Sequence, residues 1–307
     1  MGDEFETIRI GTRRSALARA QTAIVAAALR AARRDVRIDI VPMASRGDTL
    51  RGPLSATGGK GLFCAALEDA LRAGHIDLAV HSAKDLPVPL AEGMTLAAVP
   101  RRGDPRDALV SPAGGPPRTL RHGARVGTSS VRRAVQLRAM RPDVAIVALR
   151  GNVETRMAKV LDARGDERLD AAVLAMAGLE RLGLTRQWAD VIFPLRPETF
   201  VPAAGQGTLA VETLATHALA DELGACDDGD ARQALTAERG LLERLGADCH
   251  SCVGVHVARG GGLWHGQAMA TDAGGEPVRV DAACERPDEL PGLLAERLAR
   301  AGASARY

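Results

Sequence analysis

The chain has 307 residues, 46% hydrophobic and 25% charged, which is a globular composition too long for one ordinary core. A formal net charge of +2 creates no strong field towards nucleic acid or a membrane surface, and four Phe, two Trp and one Tyr are too few to stack bases. No apolar run reaches the ~18 residues of a membrane-spanning helix. The acidic start Met1–Glu6 is unlike a secretory leader, so cytoplasm is the expectation. Cys64, Cys226, Cys249, Cys252 and Cys284 are odd in number and irregularly spaced, unlike a disulfide framework.

In chain order, Ile8–Ile10 predicts a strand, followed by an alanine-rich helix to about Ala32 and an alternating strand over Val36–Met43. Leu62–Ala73 has helical spacing, and Ile76–Val80 and Thr95–Val99 read as strands. After a Pro/Gly-rich break, strands near Arg125–Gly127, Val144–Leu149 and Ala171–Leu174 alternate with helices near Val131–Ala139, Glu154–Ala163 and Ala177–Arg181. That alternation predicts α/β domains with parallel sheets covered on both faces. From about Asp230 a helix, Ala231–Leu245, leads to alternating strands between Val253 and Cys284 and a helix near Asp288–Ala301, a small α+β domain with an antiparallel sheet. No internal sequence repeat is visible.

Four junctions share one chemistry: Gly11-Thr12-Arg13-Arg14-Ser15, Gly58-Gly59-Lys60-Gly61, Gly127-Thr128-Ser129-Ser130-Val131-Arg132-Arg133, and Arg150-Gly151-Asn152-Val153-Glu154-Thr155-Arg156. Ser, Thr and Asn suit helix N-caps, where free backbone N–H groups attract anions. The helix dipole disfavours cations in the first turn, so arginines there suggest an anionic ligand that arginine forks would grip. Spread-out arginines without a phosphate loop or dinucleotide fingerprint favour a ligand with many separate carboxylates. Asp85, in His81-Ser82-Ala83-Lys84-Asp85-Leu86-Pro87 after an apolar strand, is a candidate acid/base, or simply a turn stopped by Pro87. Cys249-His250-Ser251-Cys252 leaves four uses open: a metal half-site, a redox pair, a covalent anchor, or structural cysteine. On the residues alone, a non-catalytic two-domain binding protein for a polycarboxylate metabolite is the alternative to an enzyme.

These motifs occur in order with Asp104-Pro105-Arg106-Asp107-Ala108, Pro202-Ala203-Ala204-Gly205-Gln206-Gly207 and Thr236-Ala237-Glu238-Arg239. The ordered set resembles the porphobilinogen deaminase (hydroxymethylbilane synthase) family from about Ile8 to Val255. The resemblance implies two α/β domains similar to periplasmic binding proteins, residues 1–101 with 206–225 and residues 102–205, plus a third domain, 226–307, that carries the cysteine loop.

The implied activity is a transferase that condenses four porphobilinogens into hydroxymethylbilane in tetrapyrrole biosynthesis. It would be a cytoplasmic monomer that uses no metal, nucleic acid or membrane. The implied cofactor is dipyrromethane, joined by a thioether to Cys249, with Asp85 as the catalytic carboxylate. Arg13, Ser15, Lys84, Ser129, Arg132 and Arg133 would bind cofactor carboxylates, and Arg150, Arg156, Arg181 and Lys60 those of the substrate. The chain departs from the family at two places. Asp248 stands where a glycine usually precedes the attachment cysteine, and Cys252 where a proline is common.

Overall fold

The computed structural model describes residues 6–33, 35–44, 64–247 and 251–304. The strands are β1 (Glu6–Arg13), β2 (Val36–Met43), β3 (Leu78–Ser82), β4 (Met94–Ala98), β5 (Asp107–Val110), β6 (Arg125–Gly127), β7 (Ala145–Val147), β8 (Ala171–Ala175), β9 (Ile192–Leu195), β10 (Leu209–Leu214), β11 (Gly254–Gly260), β12 (Leu263–Thr271) and β13 (Pro277–Cys284). The helices are α1 (Ala16–Ala32), α2 (Ala65–Arg72), α3 (Val131–Met140), α4 (Val153–Leu161), α5 (Met176–Arg181), α6 (Leu184–Gln187), α7 (Leu219–Glu222), α8 (Gly229–Arg244) and α9 (Leu290–Arg300). The chain divides into two compact units, Met1–Arg102 with Thr208–Arg232 and Gly103–Gly207 with Gln233–Tyr307.

In the first unit the sheet order is β2-β1-β3-β10-β4. The period of two along β1 sends Ile8 and Ile10 to one face, where they pack with Val25 and Leu29 of α1 and with Leu78, Val80 and Val211. On the other face Leu67 and Leu71 of α2 pack with Ile76, Ala79 and Met94. Gly11 sits under α2, where a Cβ would come within 2.3 Å of the Ile76 side chain.

The second unit repeats the arrangement in its sheet β7-β6-β8-β5-β9. One face is built from Leu109, Val126, Leu137, Val173 and Phe200, and the other from Val110, Met157, Leu174 and Leu179. Strand for strand, β6, β7, β8, β5 and β9 take the places of β1, β2, β3, β10 and β4. Gly127 corresponds to Gly11, each pairing in parallel with the third strand of its sheet. The repeat is structural and left no trace in the residues beyond this shared Gly-Thr.

The parallel-sheet expectation needs one correction. In each sheet an inner strand runs against its neighbours: β10 against β3 and β4, β5 against β8 and β9. Each of these strands lies next to a boundary between the units, where the chain enters the sheet from outside its own βαβ run. β5 is buried at all four positions and β10 at its first five, so neither shows the alternation that marks a strand in sequence. The second unit also holds the antiparallel sheet β11-β12-β13, covered by Leu290, Leu294 and Leu298 of α9, as the C-terminal pattern anticipated.

At the boundary Gly103 N–H donates to Gly207 O at 3.0 Å, and Gly207 has φ +87°. A Cβ there would lie 2.6 Å from Gly103 O, an overlap with backbone that side-chain motion cannot relieve. Gly207→Ala is expected to lower stability by at least about 1–3 kcal/mol, the cost of a non-glycine residue in that conformation. A denaturant midpoint unchanged from that of the parent chain would contradict this.

Candidate functional site

In the first unit β1 and β3 run in parallel, so their carboxyl ends share one edge of the sheet. Arg13 is the last residue of β1, and Ser15 caps α1 by accepting from Ala18 N–H at 3.2 Å. β3 ends at Ser82 and passes into a tight helical turn, Ala83–Asp85. The two junctions are tied together by Gln21 of α1, whose amide donates to Ser82 Oγ at 2.8 Å. The structure therefore brings Arg13, Ser15, Lys84 and Asp85 to one sheet edge. The Asp85 side chain is exposed and makes no hydrogen bond or ion pair with the described residues. Lys60 lies outside the described residues.

The second unit places the other candidates along the carboxyl ends of β6, β7 and β8. Ser130 caps α3 by accepting from Arg133 N–H at 3.5 Å, and Asn152 caps α4 by accepting from Thr155 N–H at 2.8 Å. Ser129 joins the first two junctions: its hydroxyl donates to Leu149 O at 3.1 Å and accepts from Leu149 N–H at 3.0 Å. Arg150, next in the chain, is exposed. Arg156 folds back along its helix and donates to Gly151 O at 2.8 Å. Arg181, at the end of α5, donates to Gly207 O at 2.6 Å, and partial burial lowers its pKa from the usual value.

Arg132 and Arg133 behave differently from what their positions in sequence suggest. Both are buried, and their countercharge is a protein carboxylate. Asp107, the first residue of β5 and fully buried, accepts from Arg132 Nη1 at 2.8 Å through Oδ2 and from Arg133 Nε at 2.9 Å through Oδ1. Gln206 donates to the same Oδ1 at 3.0 Å. Carbonyls add to this, Arg132 Nη1 donating also to Val201 O at 2.6 Å and Arg133 Nη1 to Val173 O at 2.8 Å. Burial pushes the Arg132 pKa down and Asp107 pushes it back up, an arrangement in which the guanidinium stays charged. At this junction the anion that a basic first turn calls for is supplied from within. One carboxylate against two guanidiniums still leaves the pair with a net positive charge.

Cys252 is 2% exposed and packs with Val135, Val201 and Met269. Burial raises its thiol pKa, opposed by the charge of Arg132, so it is shielded from any electrophile and held mainly as the unreactive thiol. Cys249, with Asp248 and His250, lies outside the described residues. Just upstream in unit two, Glu238 is fully buried and accepts from Gly205 N–H at 2.6 Å and Val257 N–H at 2.8 Å. It fastens the Gly205-Gln206-Gly207 segment to β11.

Sequence reasoning gave no role to Asp107, Gln206 or Glu238, although all three lie in quoted motifs. A buried charge looks like a solvated one in a single sequence. The signal available was Asp107 directly before the apolar run Ala108-Leu109-Val110, a carboxylate at the mouth of a fully buried strand. In chemical terms the second unit offers cationic side chains fixed by backbone carbonyls, which suit carboxylates, and the first an exposed carboxylate next in sequence to a lysine, which suits a positively charged group.

A family model described as porphobilinogen deaminase, dipyromethane cofactor binding domain, matches residues 8–222. The porphobilinogen deaminase of Roseiflexus castenholzii is 46% identical over 308 residues, covering 97% of this chain and 98% of the relative. That of Roseiflexus sp. (strain RS-1) is 50% identical over 251 residues, 81% of this chain and 80% of the relative. That of Syntrophus aciditrophicus is 42% identical, covering 96% of each. The chain belongs to the porphobilinogen deaminase family.

Proposed function

We propose that the chain is a transferase that condenses four porphobilinogen molecules head to tail into hydroxymethylbilane, releasing ammonia at each step, with Cys249 carrying the dipyrromethane primer. The observation that carries this reading is the exposed Asp85 carboxylate at the carboxyl end of β3, on the same sheet edge as Arg13 and Ser15. When bound, the cofactor supplies a tethered pyrrole terminus from which the product chain grows. The residues described here supply the rest.

Asp85 holds the proton that leaves with the amine as the aminomethyl C–N bond breaks, and as a carboxylate it then faces the cationic carbon that remains. Arg13, Lys84, Arg150, Arg156 and Arg181 pair with acetate and propionate groups, two per pyrrole ring, and Ser129, whose hydroxyl is engaged by Leu149, holds the junction beside Arg150 in shape. Their own anchors to cap residues and carbonyls restrict their motion before a ligand arrives, which lowers the entropy lost on binding. Arg132 and Arg133, already ordered around Asp107, add a fixed positive field that water cannot screen. Lys60 belongs to the same set by motif.

The burial of Cys252 supports Cys249 as the attachment thiol, since a buried thiol cannot reach a reagent in solution. Residues 226–307 would act as the module that presents it. The reading also includes a cytoplasmic monomer that meets free porphobilinogen. Among the described residues no helix is long and apolar enough to cross a membrane.

Two results are expected. The purified chain should be heavier than its sequence by two linked pyrrole units; Cys249→Ser should lack that mass and Cys252→Ser should keep it, and an adduct that survives in Cys249→Ser contradicts the assignment. Asp85→Asn should retain the adduct but lose turnover by about 10²–10⁴-fold, the range for a positioned acid/base. Turnover near the parent rate would remove the role given to Asp85.

A further inference from the structure

Among the described residues of the first unit, the buried charged side chains are Glu68, His81 and Glu212. In the antiparallel pairing of β3 with β10, His81 stands opposite Ala210 and Glu212 opposite Ala79. Their side chains therefore leave the sheet on one face, towards α2, which brings Glu68. His81 Nε2 is 3.0 Å from Glu212 Oε2, with the two side chains 4% and 0% exposed. Among the described residues Glu68 Oε1, His81 Nε2 and both Glu212 carboxylate oxygens are buried without a hydrogen bond, and burial followed by the charge of Glu212 raises the Glu68 pKa, favouring its neutral form.

A buried histidine–carboxylate contact is an expensive way to fill one face of a sheet, since apolar side chains do so at lower cost. Its position suggests a use. The Asp85 carboxylate is exposed, and it is carried on a turn whose backbone is held in place. That backbone is fastened from the same two elements that form the cluster. Ala83 N–H donates to Thr208 O, just before β10, at 3.0 Å, and the Cys64 thiol at the start of α2 donates to Asp85 O at 3.7 Å. Burial and the nearby carboxylates push the Cys64 pKa far up, so the sulfur keeps its proton and remains a donor.

We propose that the His81–Glu212 pair, with Glu68 beside it, is a positioning device that locks the end of β3 onto β10 and so fixes the Asp85 turn. The inference rests on the role given to Asp85. It predicts that Glu212→Gln, which keeps the shape but replaces the carboxylate facing His81 with an amide, lowers kcat at least tenfold per mole of folded, adduct-bearing enzyme. KM and the adduct mass should stay within twofold of the parent values, and amide hydrogen exchange across residues 80–86 should quicken. A purely structural role would alter the yield of folded protein but leave the kcat of what folds.

Should Glu212→Gln fail to fold, His81→Gln keeps a neutral donor towards Glu212 and is expected to show the same kcat loss and faster exchange. In either variant, kcat within twofold of the parent, or exchange over residues 80–86 unchanged, overturns the proposal. Retained turnover in Asp85→Asn would instead overturn the reading beneath it, so the two failures are distinguishable.

Discussion

One buried carboxylate organises the carboxyl edge of the second unit. Asp107 draws the guanidiniums of Arg132 and Arg133 and the amide of Gln206 to a single point. Through those three partners it connects the start of α3, β8 by way of Val173 O, the segment at Val201, and the boundary segment ending at Gly207. Removing one member of such a cluster leaves an uncompensated buried charge, typically a loss of 3–5 kcal/mol. The arrangement exchanges that vulnerability for rigidity. Cationic side chains that must recognise several carboxylates are most useful when they are already ordered and shielded from counterions.

The first unit also buries ionisable side chains, Glu68, His81 and Glu212, beside the sheet whose edge carries the exposed Asp85. In the second unit Asp107 sits where β5 meets the edge that carries the site, opposite the last residue of β8; in the first, Glu212 of β10 stands opposite Ala79, nearer the start of β3, and only His81 is close to the edge. Those strands are contributed by stretches of chain next to the unit boundaries. The topology thus gives each sheet an inner strand that carries a buried carboxylate.

Much of this was readable in the residues. Ser15, Ser130 and Asn152 were expected to open helices and do so, because a cap residue acts through its own side chain and needs no tertiary knowledge. The α/β class and the terminal antiparallel sheet followed from period and punctuation. The strands β5 and β10 did not, being buried on both faces, where alternation vanishes, and β9 is a four-residue edge strand interrupted by Pro194. The partner of Arg132 and Arg133 was illegible for another reason: Asp107 is 25 and 26 residues away in sequence, and only folding brings it to them. The same holds for Glu212, whose meeting with His81 depends on a strand that returns from across a unit boundary.

The central claim is that these fixed cations and the Asp85 carboxylate serve a pyrrole chain that grows while attached to the protein. The most direct measurement is the intact mass of the enzyme mixed with limiting porphobilinogen. The account predicts a ladder of protein masses, each step heavier by one porphobilinogen less ammonia. Product that accumulates while the protein mass never rises would contradict it.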